Sequence, residues 1–171
     1  MDEKRWPRVI GMIGIILGVL IAIDQFDDLL LHVWWSEADW ARFLGPDLAD
    51  LIVLASGPTW WRVLSSIAEL CLGILLLVAS LRVFNRRRSG ASLSKTWAWL
   101  AIAFTVVELG TAILLLNAWS EQLALVAGHG WESWVSFGLW AALAVMLTWP
   151  LFLLFWLGRS SVRSEVEAWP A

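Results

Sequence analysis

The sequence predicts an all-α integral membrane protein, a four-helix bundle with short amphipathic helices in its first outer loop. The first observation is composition: 60% of the 171 residues are hydrophobic and 16% are charged, whereas soluble domains carry about 25% charged residues. The second is four apolar stretches, each long enough for the roughly 20 residues that cross a bilayer. The third is the clustering of Lys and Arg at the ends of these stretches. We therefore expect residues 1–171 to form a single four-span domain.

The spans themselves are predicted at 9–33, 60–83, 96–116 and 134–157. Thr59 and Ser94 precede the second and third spans. Both are expected to be N-caps, because a hydroxyl at a helix start accepts a hydrogen bond from a free N–H group. Pro150 lies inside the fourth span, where it removes one backbone hydrogen bond and should bend the helix.

Small residues line one face of the first span and recur in the fourth. The candidates for close helix packing are Gly11, Gly14, Gly18 and Gly138. Such residues let two helices approach closely, either within a bundle or between copies of a chain. In a chain with four spans to pack, we expect the stripe to be used within the bundle.

Two polar loops, 34–59 and 118–132, separate the spans on one side of the predicted membrane. In the first loop we expect two short amphipathic helices, one beginning at Ser36 and one over 47–54, both lying along the membrane surface. A shorter helical segment is expected over 120–127 in the second loop.

Basic residues mark the opposite side of the predicted membrane. They form three clusters: Lys4, Arg5 and Arg8; Arg82, Arg86, Arg87, Arg88 and Lys95; and Arg159 with Arg163. Lys and Arg near span ends resist translocation, so that side should be the cytoplasm. We expect a multi-pass protein of the cell membrane (the inner membrane of a bacterium) with both termini cytoplasmic. The loop between the second and third spans and the tail after Gly158 are predicted to be solvated connectors.

The aromatic residues are unusually biased, with 15 Trp and no Tyr. Tryptophan favours the membrane interface because its ring is apolar and its N–H needs a partner. We predict an outer belt of Trp34, Trp35, Trp60, Trp61, Trp119, Trp131 and Trp134, and an inner belt of Trp6, Trp97, Trp99 and Trp156. Trp140 lies nearer mid-span, where a belt does not explain it.

Acidic side chains inside the predicted spans are the one group of residues with chemical interest. They are Asp24, Asp27 and Asp28 in the first span, Glu69 in the second and Glu108 in the third. At about 1.5 Å per helical residue, Asp24, Glu69 and Glu108 lie ~20–24 Å from the basic boundary of a ~30 Å hydrocarbon core. These three are therefore predicted to share one layer, and all five are candidates for binding a cation or a proton.

Two interpretations of this acidic layer remain open. Each glutamate lies on a helix face that also carries small and hydroxyl-bearing residues. Such a face is expected inside the bundle rather than against lipid. In the first interpretation, each is protonated and hydrogen-bonded to Ser65, Ser66 or Thr105, since burial disfavours a charged carboxyl group. In the second, the acids bind a cation or pass protons. Because the spans carry no Lys, Arg or His at that depth, a proton, a metal ion or a partner subunit must neutralise them.

Histidines offer weak candidates for a metal site. His32 and His129 both fall near the outer boundary, where Asp28 or Glu132 could join them around zinc or iron. Neither a Glu-x-x-His pattern nor a His-x-x-x-His pair is present.

Several classes of function are excluded or disfavoured. Cys71 is the only cysteine, which rules out an intrachain disulfide and a CxxC redox pair. The basic loop lies between apolar spans, which favours contact with lipid headgroups over nucleic acid. The chain has no phosphate-binding glycine loop and no recognisable catalytic motif, so we predict no enzymatic activity and no cofactor.

Two functional hypotheses follow. The first is a non-catalytic accessory or scaffold subunit that packs against another membrane protein or a second copy of itself. The alternative is a cation- or proton-conducting protein that uses Asp24, Glu69 and Glu108. An enzyme acting on lipid at the outer surface is a more remote third.

Overall fold

The computed structural model describes residues 5–34, 42, 59–118 and 131–170, and these ranges are almost entirely helical. The helices are α1 (Trp6–Trp34), α2 (Thr59–Phe84), α3 (Arg88–Ala118), α4 (Trp131–Gly158) and α5 (Ser160–Glu167). α1 to α4 each contain a segment long and apolar enough to cross a membrane. For the described residues, the prediction of an all-α bundle with four helices long and apolar enough to span a membrane is confirmed. The helices predicted at Ser36, over 47–54 and over 120–127 lie outside the described residues.

The start of α3 differs from the prediction. The helix begins at Arg88 rather than near residue 96, so Ser94 lies inside it, only 2% exposed, and is not an N-cap. The reason is close packing, because a Cβ added at Gly90 would stand 2.5 Å from the backbone nitrogen of Val83. Small residues here let α3 begin against the last turn of α2. Thr59 is the first residue of α2.

A tight turn joins α2 to α3. Arg86 adopts a left-handed backbone conformation with φ 53°. Its N–H bonds to the carbonyl of Val83 at 2.9 Å, and the N–H of Arg87 bonds to the carbonyl of Arg82 at 2.8 Å. This pair of bonds is the Schellman ending of a helix, which reverses the chain within a few residues.

α1 packs along α2 through its glycines. A Cβ added at Gly11 would stand 2.8 Å from the Cβ of Phe84, and one at Gly18 would stand 2.9 Å from the backbone nitrogen of Leu77. A Cβ added at Gly14 would stand closer still to the hydroxyl oxygen of Ser80. The stripe of small residues on α1 therefore brings the two backbones together, as small residues do in membrane helix pairs.

The chain after α4 is not a solvated connector, and that prediction was wrong. Val162 in α5 is buried, Val166 packs against the same core, and Trp169 is only 8% exposed. Trp169 stacks on Trp6 with ring centroids 5.5 Å apart, and the Trp6 Nε1–H donates to the Glu165 carboxylate at 2.6 Å. Val162, Val166 and Trp169 recur at intervals of four and three residues, which places them on one helical face.

Further bonds tie this tail to the start of α3. The backbone N–H of Arg88 donates to the carbonyl of Pro170 at 3.0 Å, and its guanidinium donates to the carbonyl of Glu167. The chain therefore closes over the end of the bundle at which it also begins. We call this the basic end, after its described basic residues, Arg5, Arg8, Arg82, Arg86, Arg87, Arg88, Lys95, Arg159 and Arg163.

The tryptophans only partly follow the predicted belts. Trp60 and Trp99 are 67% and 64% exposed, as residues facing a membrane interface should be. Trp6 and Trp97, assigned to the inner belt, are instead 3% and 4% exposed and belong to the protein core. Trp156 lies beside Trp6 with ring centroids 6.3 Å apart.

The helices pack in chain order: α1 on α2, α2 on α3 and α3 on α4, whereas α1 makes little direct contact with α4. The core is concentrated toward the basic end. The half beyond it, which we call the far half, comprises residues 20–30, 60–72, 105–118 and 136–146. Among these residues, only Ser66 and Thr105 are buried, and both are polar.

Candidate acidic site

Glu69 of α2 and Glu108 of α3 lie in one cavity of ≈220 Å³ where the far half meets the packed core. All four long helices contribute to its walls. The lining residues are Leu17, Ile21, Glu69, Leu72, Leu76, Trp97, Ala101, Phe104, Thr105, Glu108, Val145, Met146, Trp149 and Pro150. The walls are thus mainly apolar, with two carboxyl groups facing one another across adjacent helices.

The two glutamates interact directly. Their carboxyl groups are close enough to share a hydrogen bond, and Asp24 and Asp28 of α1 lie close enough to Glu69 to repel it when all are charged. Asp28 accepts a hydrogen bond of 2.6 Å from the Ser66 hydroxyl. The packing of α1 on α2 therefore adds negative charge beside the glutamate pair.

The hydroxyl groups expected to pair with the glutamates donate elsewhere. Ser66 donates to Asp28, and Ser65 donates to the carbonyl of Arg62 at 3.0 Å. Thr105 donates to the carbonyl of Ala101 in its own helix at 2.8 Å. A hydroxyl has one hydrogen to donate, so none of the three donates to Glu69 or Glu108.

The remaining acidic and metal-site candidates are more dispersed. Asp24 is exposed and accepts a hydrogen bond of 3.2 Å from Gln25, and Asp27 is exposed beside it. His32 lies in the last turns of α1, and His129 is outside the described residues. Within the described ranges, no group of three or more His, Cys, Asp or Glu side chains could hold a metal ion.

Of the helix-packing candidates, Gly11, Gly14 and Gly18 lie against α2, whereas the space around Gly138 on α4 is open to at least 4 Å. Among the described residues, none lies within 4 Å of a Cβ added at Gly138. Phe137 and Trp140, on either side of Gly138, are 70% and 69% exposed.

Two tryptophans in the cavity wall were not predicted to belong to the site. Trp97 and Trp149 both line the cavity, and the indole Nε1–H of each is buried with no acceptor among the described residues. A signal for Trp97 was present, because Trp97, Ala101, Thr105 and Glu108 recur at intervals of four, four and three residues along one face of α3. This pattern was missed because Trp97 lies near the basic boundary and was assigned to the inner belt of tryptophans.

The site therefore combines a pair of carboxyl groups in a mainly apolar cavity with two tryptophans in its wall whose indole N–H groups are buried. Such a pair can hold a proton between its two oxygens, and the indole groups can donate to an acceptor. No protein-family model, curated protein or solved structure matches this chain.

Proposed function

We propose that this chain is a non-enzymatic membrane protein that binds an exchangeable proton on the Glu69–Glu108 pair. The observation that supports it is the direct approach of these two carboxyl groups within one apolar cavity. Two carboxylates at hydrogen-bond distance in a poorly solvated site do not both stay ionised, because like charges there repel strongly. The pair retains one proton, which one oxygen donates and the other accepts.

The surroundings favour a proton over a metal ion. Asp24 and Asp28 of α1 are two further acidic side chains near Glu69. A divalent ion would need several oxygen ligands around it, whereas the described residues contain no group of three suitable side chains.

The packing favours a binding site over a pore through the bundle. Between the glutamate pair and the basic end lie the completely buried Leu76 and Ala79, with Val83 at 2% exposure. On α4, Leu153 and Leu157 are each 2% exposed. Apolar side chains therefore make up most of the packed region between the pair and the basic end, where the described buried polar residues are Ser80 and Ser94, so we expect exchange mainly from the far half.

The test counts protons. Purified protein is titrated with acid from a pH alkaline enough to ionise both glutamates down to neutral pH, and a pH indicator reports proton uptake. We expect wild type to take up about one proton per chain more than the Glu69→Gln, Glu108→Gln double variant, because the pair as a unit holds one proton. Asp27→Asn, an exposed acid outside the cavity, is the matched control and should behave as wild type. Equal proton uptake by the double variant and by wild type would contradict the proposal.

A vesicle experiment separates binding from conduction. Vesicles that contain the protein and a trapped pH dye should show no more proton flux than protein-free vesicles under an imposed gradient. A flux that disappears in Glu108→Gln would replace the binding proposal with the conduction hypothesis.

An accessory subunit is the second candidate function. The observation that favours it is the surface of α4 around Gly138, Phe137 and Trp140, which packs on no other described element. A second membrane protein, or a second copy, could cover this surface. Cross-linking from a photoreactive residue at Phe137 in native membranes should then yield a discrete adduct. A strictly monomeric particle in mild detergent, without adducts, would count against this role.

A further inference from the structure

We propose that one anionic phospholipid binds along α4 at the basic end. Its phosphate group binds the guanidinium of Arg159, and an acyl chain lies on a strip of three aromatic side chains, Trp149, Phe152 and Trp156. We call these three side chains the aromatic strip. The inference does not depend on the proton proposed for the glutamate pair, because no glutamate takes part in it.

The aromatic strip follows one face of α4. Its residues recur at intervals of three and four, which places them on the same side of the helix. Trp149 stacks on Phe152 with ring centroids 5.3 Å apart, and Phe152 stacks on Trp156 at 5.9 Å. Phe152 is 37% exposed, and the two tryptophans are partly exposed. The rings therefore form a continuous apolar surface, about 10 Å long from the helical rise, that an acyl chain can contact.

Arg159 lies at the end of the aromatic strip, three residues after Trp156. Its guanidinium carbon is 4.8 Å from the ring centroid of Trp156 and 4.8 Å from that of Phe155. Phe155 is 66% exposed, as a side chain that faces lipid should be. The positive charge of Arg159 is thus held over the lipid-facing surface of the last turn of α4.

This guanidinium is available to an anion. An aromatic ring attracts a cation without neutralising its charge. Within the described ranges, the side chain of Arg159 has no ion pair and no hydrogen-bond acceptor, and its contacts are the two rings. The planar guanidinium carries N–H donors in a fork that matches two oxygens of a phosphate group. Arg159 can therefore bind a phosphate while it remains in contact with the rings.

The position of Arg159 suits a lipid headgroup. The membrane-spanning segment of α4 is Ser136–Gly158, and Arg159 is the next residue. Lipid phosphates lie at the boundary of the hydrocarbon core, which is where this span ends. The aromatic strip runs from Arg159 back into the span, the direction in which an acyl chain extends from its headgroup.

The charge of the basic end selects an anionic lipid. Nine described basic residues lie there, against two acidic ones, Glu165 and Glu167. Both carboxylates already have partners, since Glu165 accepts from the Trp6 indole and Glu167 pairs with Arg163 at 3.1 Å. Each Lys or Arg near an anionic membrane surface contributes about 1 kcal/mol of attraction. A zwitterionic lipid, whose headgroup has no net charge, gains little from this excess.

The test is native mass spectrometry of the full chain in detergent with added dioleoyl phosphatidylglycerol, which is anionic, or dioleoyl phosphatidylcholine, which is zwitterionic. We expect one phosphatidylglycerol per chain to bind about tenfold more tightly than phosphatidylcholine. Arg159→Gln should weaken phosphatidylglycerol binding about tenfold, a loss of about 1.4 kcal/mol. Equal affinity of wild type for the two lipids would overturn the proposal.

Arg163→Gln is the matched control for Arg159→Gln. It removes the same charge one turn further along the chain, from a side chain that is already paired with Glu167. We expect it to weaken phosphatidylglycerol binding less than about threefold, because an exposed, paired charge contributes little. Equal weakening by the two variants would overturn the assignment of the phosphate to Arg159, since general attraction to the basic end would then explain the binding.

A second pair of variants tests the aromatic strip and remains informative if Arg159→Gln fails to fold. Phe152→Ala removes the middle ring and should weaken both lipids about threefold, because their acyl chains are identical. Phe137→Ala truncates an aromatic residue of the same helix that is 70% exposed in the far half, and it should leave both affinities unchanged. Equal affinities in the two variants would overturn the placement of the acyl chain.

Thermal unfolding in detergent separates a lipid site from a site for a soluble anion. Phosphatidylglycerol should raise the melting temperature of wild type and of Arg163→Gln, and raise that of Arg159→Gln less, because a ligand stabilises only the folded state that binds it. Inorganic phosphate at the same concentration should have no effect, since it lacks the acyl chain that contacts the aromatic strip. A rise with phosphate as large as that with the lipid would overturn the lipid assignment.

Discussion

The basic end and the far half of this bundle are built in opposite ways. At the basic end, glycines bring α1 and α2 together, aliphatic side chains fill the interior, and α5 covers the end with the stacked pair Trp6 and Trp169. In the described part of the far half, the only buried residues are Ser66 and Thr105. Their hydroxyl groups bond to Asp28 and to a backbone carbonyl. Packing is thus concentrated at the basic end, whereas the acidic side chains of α1, α2 and α3 lie in the far half.

The basic end therefore supplies most of the stability of the bundle, whereas the far half carries the side chains that could bind a proton. Lipid is as apolar as a leucine side chain, so close packing and hydrogen bonds, rather than hydrophobic burial, hold membrane helices together. Both are concentrated at the basic end. The far half can therefore hold a cavity with a pair of carboxyl groups without the bundle losing its main contacts.

The largest expected effect is at the aromatic contact between the tail and the start of α1. Trp169→Ala removes the ring stacked on Trp6 and leaves a void beneath α5, which should lower the free energy of unfolding by about 3 kcal/mol. Denaturant unfolding in detergent measures it. The exposed Trp99 supplies the control, since Trp99→Ala should change stability by less than about 0.5 kcal/mol. Similar losses in the two variants would show that the tail does not stabilise the basic end.

Glycine substitutions test the contact between α1 and α2. Gly18→Ala places a methyl group 2.9 Å from the backbone nitrogen of Leu77. Because backbone cannot rotate away, the helices must separate, at about 2 kcal/mol. Gly138→Ala has open space beside it and should not destabilise the protein. Thermal unfolding of the two variants side by side distinguishes them, and equal melting temperatures would refute the packing account.

A smaller effect is expected at the hydrogen bond that anchors α5. Glu165→Ala leaves the Trp6 indole without its acceptor and should cost about 1 kcal/mol of unfolding free energy. Glu167→Ala breaks an exposed ion pair with Arg163 of 3.1 Å, for which about 0–0.5 kcal/mol is expected. The same unfolding assay compares the two variants. A greater loss of unfolding free energy in Glu167→Ala than in Glu165→Ala would show that the Trp6–Glu165 hydrogen bond does not anchor α5.

The smallest effect on stability is expected in the far half. Glu108→Gln preserves the size of the side chain and its ability to donate and accept, and membrane hydrogen bonds average about 0.6 kcal/mol. We expect a change in unfolding free energy of less than about 1 kcal/mol. Added Ca²⁺ or Zn²⁺ should not raise the melting temperature of wild type. A saturable rise that Glu69→Gln abolishes would indicate a metal site in place of a shared proton.

The four membrane helices were predictable because apolar runs of this length have few alternatives. The common depth of Glu69 and Glu108 followed from the helical rise. The hydrogen-bond partners of the two glutamates could not be predicted from the sequence, because the direction of the Ser66 hydroxyl depends on where α1 places Asp28. Ser94 resembled an N-cap because local sequence does not show that Gly90 packs against α2.

The tail was missed for a different reason. α5 is only eight residues long, too short for periodicity alone to distinguish it from a loop. Its apolar face becomes recognisable once Trp6 is present as the surface on which Trp169 stacks.

Infrared difference spectroscopy tests the shared proton on Glu69 and Glu108 most directly, because protonated carboxyl groups absorb apart from carboxylates. Spectra of the protein in nanodiscs are compared as the pH is changed around neutrality. A protonated-carboxyl band should be present in wild type and in Asp27→Asn, and it should be shifted or lost in both Glu69→Gln and Glu108→Gln, since the pair holds the proton jointly. A band that neither glutamine variant alters would contradict the account.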